Sequence, residues 1–161
     1  MSERIPVTAA IRVLREHDVA FTPHVYRYEE KGGTAVSSRE LGVDEHAVIK
    51  TLVMEDDARK PLIVLMHGDK QVSAKNLARA IGARSVQACR PETAEKHSGY
   101  QVGGTSPFGT RSVLPVYLQR TVLDLERLWI NGGRRGFLVE LEPRELVRVL
   151  QPTLVDVAID A

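Results

Sequence analysis

Leu62-Ile-Val-Leu-Met66 is the longest unbroken apolar run in the sequence. It is far too short to cross a bilayer, and a short continuous run reads as a strand buried on both faces. Such a strand needs cover on each side, which points to a sheet flanked by helices. The chain has 161 residues, 43% of them hydrophobic and 27% charged, enough to build one ordinary globular core without a disulfide or metal staple. Cys89 is the only cysteine, so an intramolecular disulfide is excluded and a zinc site would have to be mostly His and carboxylate.

Lys plus Arg number 22 against 21 for Asp plus Glu, a net charge of +1. A protein that binds nucleic acid by electrostatics alone carries a much larger positive excess, so any RNA contact here needs a partner or a small footprint. The N-terminus mixes Glu3 and Arg4 and has no apolar signal-peptide core, and no segment suits a membrane span. A cytoplasmic location is the expectation.

Patterning predicts one domain over residues 1–161, since no repeat, low-complexity tract or linker divides it. A helix is expected from Pro6, with Val7, Ala10, Ile11 and Leu14 on its apolar stripe, followed by a strand over Phe21 to Tyr28 that Pro23 marks as an edge or a strand start. A short helix from about Ala35 should close at Gly42, and a strand should follow over Val48 to Met54. Ser73 reads as the N-cap of a helix ending at Gly82, and Pro91 as the start of another ending near Ser98-Gly99. Strands around Val113 to Leu118, Trp129-Ile130 and Phe137 to Leu141 precede a helix from Pro143 carrying Leu146, Val147 and Leu150. The sum is an α+β domain with a mixed, barrel-like sheet flanked by helices.

Three places could carry chemistry. Lys50 shares a strand face with Val48, Leu52 and Met54, where an ammonium needs a partner or a ligand; desolvation would suit it to grip an anion, polarise a carbonyl or form a Schiff base. The competing reading lets its stem lie along the sheet with the charge in water. The stretch Gly99-Tyr-Gln-Val-Gly-Gly-Thr-Ser-Pro-Phe-Gly109 contains adjacent Gly103 and Gly104, whose N–H groups could form a nest for an oxyanion or phosphate. It is not a nucleotide P-loop: Thr110-Arg111 replaces the Lys-Ser/Thr pair and Pro107 removes a donor. Asn131-Gly-Gly-Arg-Arg-Gly136 reads as a hairpin loop with Arg134 and Arg135 at its tip, either solvated or facing phosphate. The histidines at 17, 24, 46, 67 and 97 show no metal-ligand spacing, and neither Ser106 nor Cys89 sits in a nucleophile signature, so no metal or cofactor is expected.

Lys50-Thr51-Leu52-Val53, the stretch from Gly99 to Gly109, Leu114-Pro115 and Asn131 to Gly136 together resemble the YbaK/EbsC family of aminoacyl-tRNA deacylases, in order and spacing, over nearly the whole chain. The same fold serves as the editing domain inserted in many bacterial prolyl-tRNA synthetases. The resemblance implies an enzyme that hydrolyses the ester of tRNA(Pro) mischarged with a small amino acid, cysteine first and alanine next. Its partners would be aminoacyl-tRNA and prolyl-tRNA synthetase. By the resemblance Lys50 binds the charged 3′ end or orients its ester, and Gly103 offers its N–H to the aminoacyl carbonyl. Tyr26, Thr51, Gly104, Ser106, Asn131 and Arg134 are the expected substrate contacts. For cysteinyl substrates it suggests attack by the substrate's own thiol. Asn131 stands where the cysteinyl-specific branch has a serine, Leu138 where it has an aspartate, and Gly32-Gly33-Thr34 lacks its phenylalanine. These departures keep the deacylase class and leave the amino acid open. They also motivate the rival expectation of a non-catalytic module that binds a tRNA end or a synthetase.

Overall fold

The computed structural model describes residues 5–161, so Glu3 and Arg4 lie outside the described residues. In chain order the elements are α1 (Ala9–Glu16), β1 (Thr22–Val25), α2 (Gly33–Leu41), β2 (Val48–Asp56), β3 (Pro61–His67), β4 (Lys70–Val72), α3 (Ala74–Ile81), β5 (Val86–Ala88), α4 (Pro91–Ser98), β6 (Val116–Gln119), β7 (Leu128–Arg134), β8 (Phe137–Leu141), α5 (Pro143–Leu150), β9 (Thr153–Val155) and β10 (Ala158–Asp160). Short 3-10 turns occupy Glu45–Ala47 and Arg120–Asp124. Among the described residues no helix is long and apolar enough to cross a membrane.

An eight-stranded sheet runs in the order β1-β8-β7-β2-β3-β6-β9, with β5 paired to the far end of β2. The β2–β7, β3–β6 and β6–β9 ladders are parallel and the others antiparallel, so the α+β class with a mixed sheet is as expected. β10 and β4 form a separate antiparallel pair.

The run from Leu62 to Met66 lies at the centre, and its period of two distributes it between two cores. Ile63 and Leu65 join a cluster with Ile11 and Leu14 of α1, Ile130 of β7 and Leu146 of α5. Leu62, Val64 and Met66 join a second with Leu77 and Ala78 of α3, Val86 of β5 and Val155 of β9. A fully buried leucine or isoleucine stabilises the fold by about 1.5–3 kcal/mol relative to its exposed state, so a charge anywhere in this run would break the layer it faces.

Helix ends follow local chemistry. The Ser73 hydroxyl accepts from the Asn76 N–H at the start of α3, and Gly42, Gly82 and Gly99 close their helices in the left-handed conformation. Several expected boundaries shift. The first helix starts behind Thr8, whose hydroxyl accepts from the Ile11 N–H; Pro6 precedes it and Val7 is exposed. β1 stops at Val25, short of Tyr26, and is an edge strand carrying Pro23. Val113 and Val147 are exposed. The expected hairpin loop at Asn131 to Gly136 is mostly strand, because β7 continues to Arg134 through a register shift and leaves only Arg135 and Gly136 in the turn.

Candidate active site

A cavity of about 610 Å³ opens where β2, the segment after β1, the loop after α4 and the β7–β8 hairpin converge. It brings together Tyr26, Lys50, Thr51, Gly103 and Asn131 of the expected site residues, with Leu138 also on its wall. The parallel β2–β7 register aligns Val48 with Trp129 and Ile49 with Ile130, so Lys50 and Asn131 follow as neighbours.

Lys50 is half-buried and its ammonium donates to the Lys70 backbone carbonyl on β4. Burial pushes its pKa below the ordinary lysine value, while the Glu45 and Asp69 carboxylates act in the opposite direction. The amine thus has a backbone carbonyl as partner instead of lying wholly in water, and the residue borders the cavity. The Thr51 hydroxyl is buried with no hydrogen-bond partner among the described residues. Burial raises the Tyr26 pKa, with the neighbouring Tyr28 adding to the effect, which keeps the phenol a neutral donor.

The glycine stretch is folded around Tyr100 and Phe108, both buried, with the Tyr100 hydroxyl donating to the Phe108 carbonyl. Gly103 has φ +91°, and a Cβ there would lie 2.6 Å from the Tyr28 hydroxyl, so this position is reserved for glycine. The Gly104 N–H is already donated to the Gln101 carbonyl at 2.8 Å, whereas the Gly103 N–H enters no hydrogen bond among the described residues. The two-donor nest expected here is therefore reduced to one free donor. Gly104 itself is buried outside the cavity, where a Cβ would meet the Arg135 backbone N at 2.7 Å; its glycine is needed for close packing on the hairpin.

Two further expected contacts lie off the cavity. Ser106 is 0% exposed and its hydroxyl accepts from the Phe108 N–H at 3.2 Å, so it shapes a turn. Arg134 is exposed at the end of β7 and does not line the cavity; its neighbour Arg135 does. Asn131 lines the cavity but its amide is committed to protein: Oδ1 accepts from the Gly133 and Arg134 N–H groups at 2.7 and 3.1 Å, and Nδ2 donates to the Gly103 carbonyl at 3.2 Å. Asn131 and Leu138 are registered opposite each other across β7 and β8, so both departures from the family pattern fall on one spot of the wall.

Sequence spacing did not reveal that His46, His67 and Asp69 come together, their ligand atoms within 4.8 Å of one another. Their donors are engaged already. His67 Nδ1 donates to the His46 carbonyl at 2.7 Å, which leaves Nε2 to accept from the Thr121 hydroxyl at 2.7 Å. His46 stacks on that ring at 3.7 Å and meets Asp69 at 2.8 Å. Burial holds the His67 pKa below the usual value, consistent with a neutral ring in a hydrogen-bonded support. Cys89 lines the cavity, but burial and the nearby Glu55 raise its pKa, so the thiol stays protonated and weakly nucleophilic. Deacylation is accordingly expected to survive both Cys89→Ser and dialysis of the protein against a chelator, followed by return to magnesium buffer for the tRNA, within about threefold. Loss of turnover in either folded sample would show that a thiol or a bound metal is required.

A small-molecule-sized, partly apolar cavity with one half-buried ammonium, one free backbone N–H and no activated nucleophile suits an ester that is already reactive and needs only orientation and oxyanion stabilisation. The chain belongs to the aminoacyl-tRNA editing domain family, a class of aminoacyl-tRNA deacylases, whose sequence profile matches residues 29–149. Among its relatives is EbsC of Enterococcus faecalis, provisionally named a Cys-tRNA(Pro)/Cys-tRNA(Cys) deacylase, 28% identical over 87% of this chain and 86% of that one. A proline–tRNA ligase of Nitratidesulfovibrio vulgaris is 31% identical over 60% of this chain, a stretch that makes up only 16% of the ligase. The fold matches the crystal structure of hypothetical protein APE2540, with TM-score 0.86 and 24% identity over 94% of this chain and 99% of that one. It also matches a protein provisionally described as a trans-editing enzyme for prolyl-tRNA synthetase, with TM-score 0.81 and 20% identity over 96% and 99% of the two chains.

Proposed function

We propose that this protein acts in trans, in the cytoplasm, to hydrolyse the ester of tRNA(Pro) charged with the wrong small amino acid, Cys-tRNA(Pro) first and Ala-tRNA(Pro) next. The observation that supports this reading is one cavity lined by both Lys50 and Gly103, the latter with an N–H that enters no hydrogen bond among the described residues. Lys50 orients the charged 3′ end, and the Gly103 N–H receives the carbonyl oxygen as negative charge develops on it. Water, or for a cysteinyl ester the substrate's own thiol, adds to the carbonyl carbon, the bond to the ribose oxygen breaks, and the proton lost by the attacking group ends on that oxygen as the free hydroxyl. Tyr26 offers its hydroxyl to the substrate and Thr51 forms the wall beside Lys50, while Leu138 supplies an uncharged wall that suits a small side chain. The near-zero net charge fits reliance on prolyl-tRNA synthetase, or on a few tRNA contacts, for affinity.

The test is to incubate the protein with tRNA(Pro) charged separately with Cys, Ala, Ser and Pro. Release is expected to be fastest for Cys, slower for Ala, and negligible for Pro. No release from any of them, with the synthetase present as well as absent, would leave the binding-module alternative in its place.

A further inference from the structure

We propose that Arg135 is a positioning residue for ester cleavage: by holding the Val102 carbonyl it aims the Gly103 N–H into the cavity. The inference rests on the role given above to that N–H. The Val102 carbonyl and the Gly103 N–H belong to one peptide unit, and in a planar trans peptide the two point in opposite directions. Arg135 Nε donates to the Val102 oxygen at 2.8 Å. Fixing that oxygen fixes the plane, and with it the direction of the donor at the other end. The next carbonyl, that of Gly103, is held by Asn131 Nδ2 at 3.2 Å, so successive peptide units of the loop are tied to the β7–β8 hairpin.

The loop needs such ties. Gln101, Val102 and Gly103 are exposed, and Gly103 at φ +91° has no side chain of its own to pack. An exposed glycine segment without anchors samples many orientations, and a hydrogen-bond donor that must be aimed during the reaction loses most of its effect. Arg135 is itself anchored: its guanidinium lies over the Tyr28 ring, 5.1 Å from the centroid, and it takes part in no ion pair among the described residues. A guanidinium held over a ring while its Nε donates to a carbonyl is geometry that lysine cannot reproduce. A cation on the carbonyl also polarises the peptide unit, which makes its N–H a stronger donor.

Arg135→Ala and Arg135→Lys are compared with the native protein in single-turnover deacylation at saturating protein and in the amide NMR spectrum without substrate. Both variants are expected to lower the saturated rate by about 10-fold or more, with less than about threefold change in half-saturation, and to shift the Gly103 amide signal. Lysine should not rescue, since it keeps the charge and loses the geometry. Adding Arg135→Ala to Gly103→Ala should cost little more than Gly103→Ala alone, because the two act as one unit. An unchanged Gly103 amide overturns the proposal, and so does weaker half-saturation with a native saturated rate, which would make Arg135 an RNA contact. If the native protein releases no amino acid from any charged tRNA, the functional reading fails, and the amide spectrum still decides whether Arg135 holds Gly103.

Discussion

Lys50→Ala is expected to lower kcat/KM for the mischarged tRNA by at least about 100-fold, or about 2.7 kcal/mol of transition-state stabilisation. The size follows from the position of the ammonium. It is half-buried at the cavity wall, so its field reaches the ester through protein more than through water, and no other side chain on that stretch of β2 is cationic. The same amine also donates to the Lys70 carbonyl, so a structural loss must be separated from a chemical one. Removing one neutral acceptor's partner costs about 1 kcal/mol, which in a chain of this size shifts Tm by about 2–4 °C. Lys50→Met, which keeps the stem and drops the charge, should match the alanine variant in rate while holding Tm closer to native. Near-native turnover in either variant would remove Lys50 from the site. The pH profile offers a second check: because burial depresses its pKa, activity should fall on raising pH earlier than an ordinary lysine would deprotonate, once the uncatalysed hydrolysis is subtracted.

Gly103→Ala is expected to reduce single-turnover rate by about 100-fold or more, with a smaller change in apparent KM, as for a donor used mainly in the transition state. The added Cβ would meet the Tyr28 hydroxyl at 2.6 Å and Arg135 Nε at 3.3 Å, and alanine also resists φ +91°. Strain and lost chemistry therefore arrive together in the simple variant. Tyr28→Phe removes the closest atom, the far end of a side chain that can move, and so relieves part of the clash. In the Gly103→Ala/Tyr28→Phe double variant, thermal stability should recover while the rate stays low. Recovery of both would show that Gly103 serves only to make room in the turn.

Much of this architecture is written in local signals. The two-sided burial of Leu62 to Met66 could be read from an unbroken apolar run, although the residues that cover it are distant in sequence; the start of α3 could be read from Ser73 and its end from Gly82, because those caps rest on contacts within a few residues. β4, β5, β9 and β10 were not legible: each is three residues long and owes its strand state to a distant partner. The site divides the same way. Lys50 stood out as an ammonium on an apolar strand face, and Gly103 as one of two adjacent glycines. Which arginine of the pair at 134 and 135 faces the cavity depends on the register shift after Asn131, which no alternation rule contains. The role of Tyr28 was hidden because the chain leaves the strand at Val25, and the approach of His46 to His67 depends on how β2 and the turn before it fold onto β3.

The parallel seam between β2 and β7 has a consequence for how the molecule comes into being. Val48 and Ile49 pair with residues that are made much later on the ribosome, Trp129 and Ile130, and no hairpin can bring such partners together. Closing so long a loop before any contact rewards it is slow, so this seam belongs among the late events of folding. Until β7 docks, the start of β2 is a bare, apolar sheet edge open to pairing with other chains. The cavity lined by Lys50 and Gly103 is therefore incomplete in every nascent chain that has not yet extruded the β7–β8 hairpin, which supplies Asn131, Arg135 and Leu138 to its wall. A ribosome stalled before Leu128 holds a chain with that edge uncovered and that cavity unfinished.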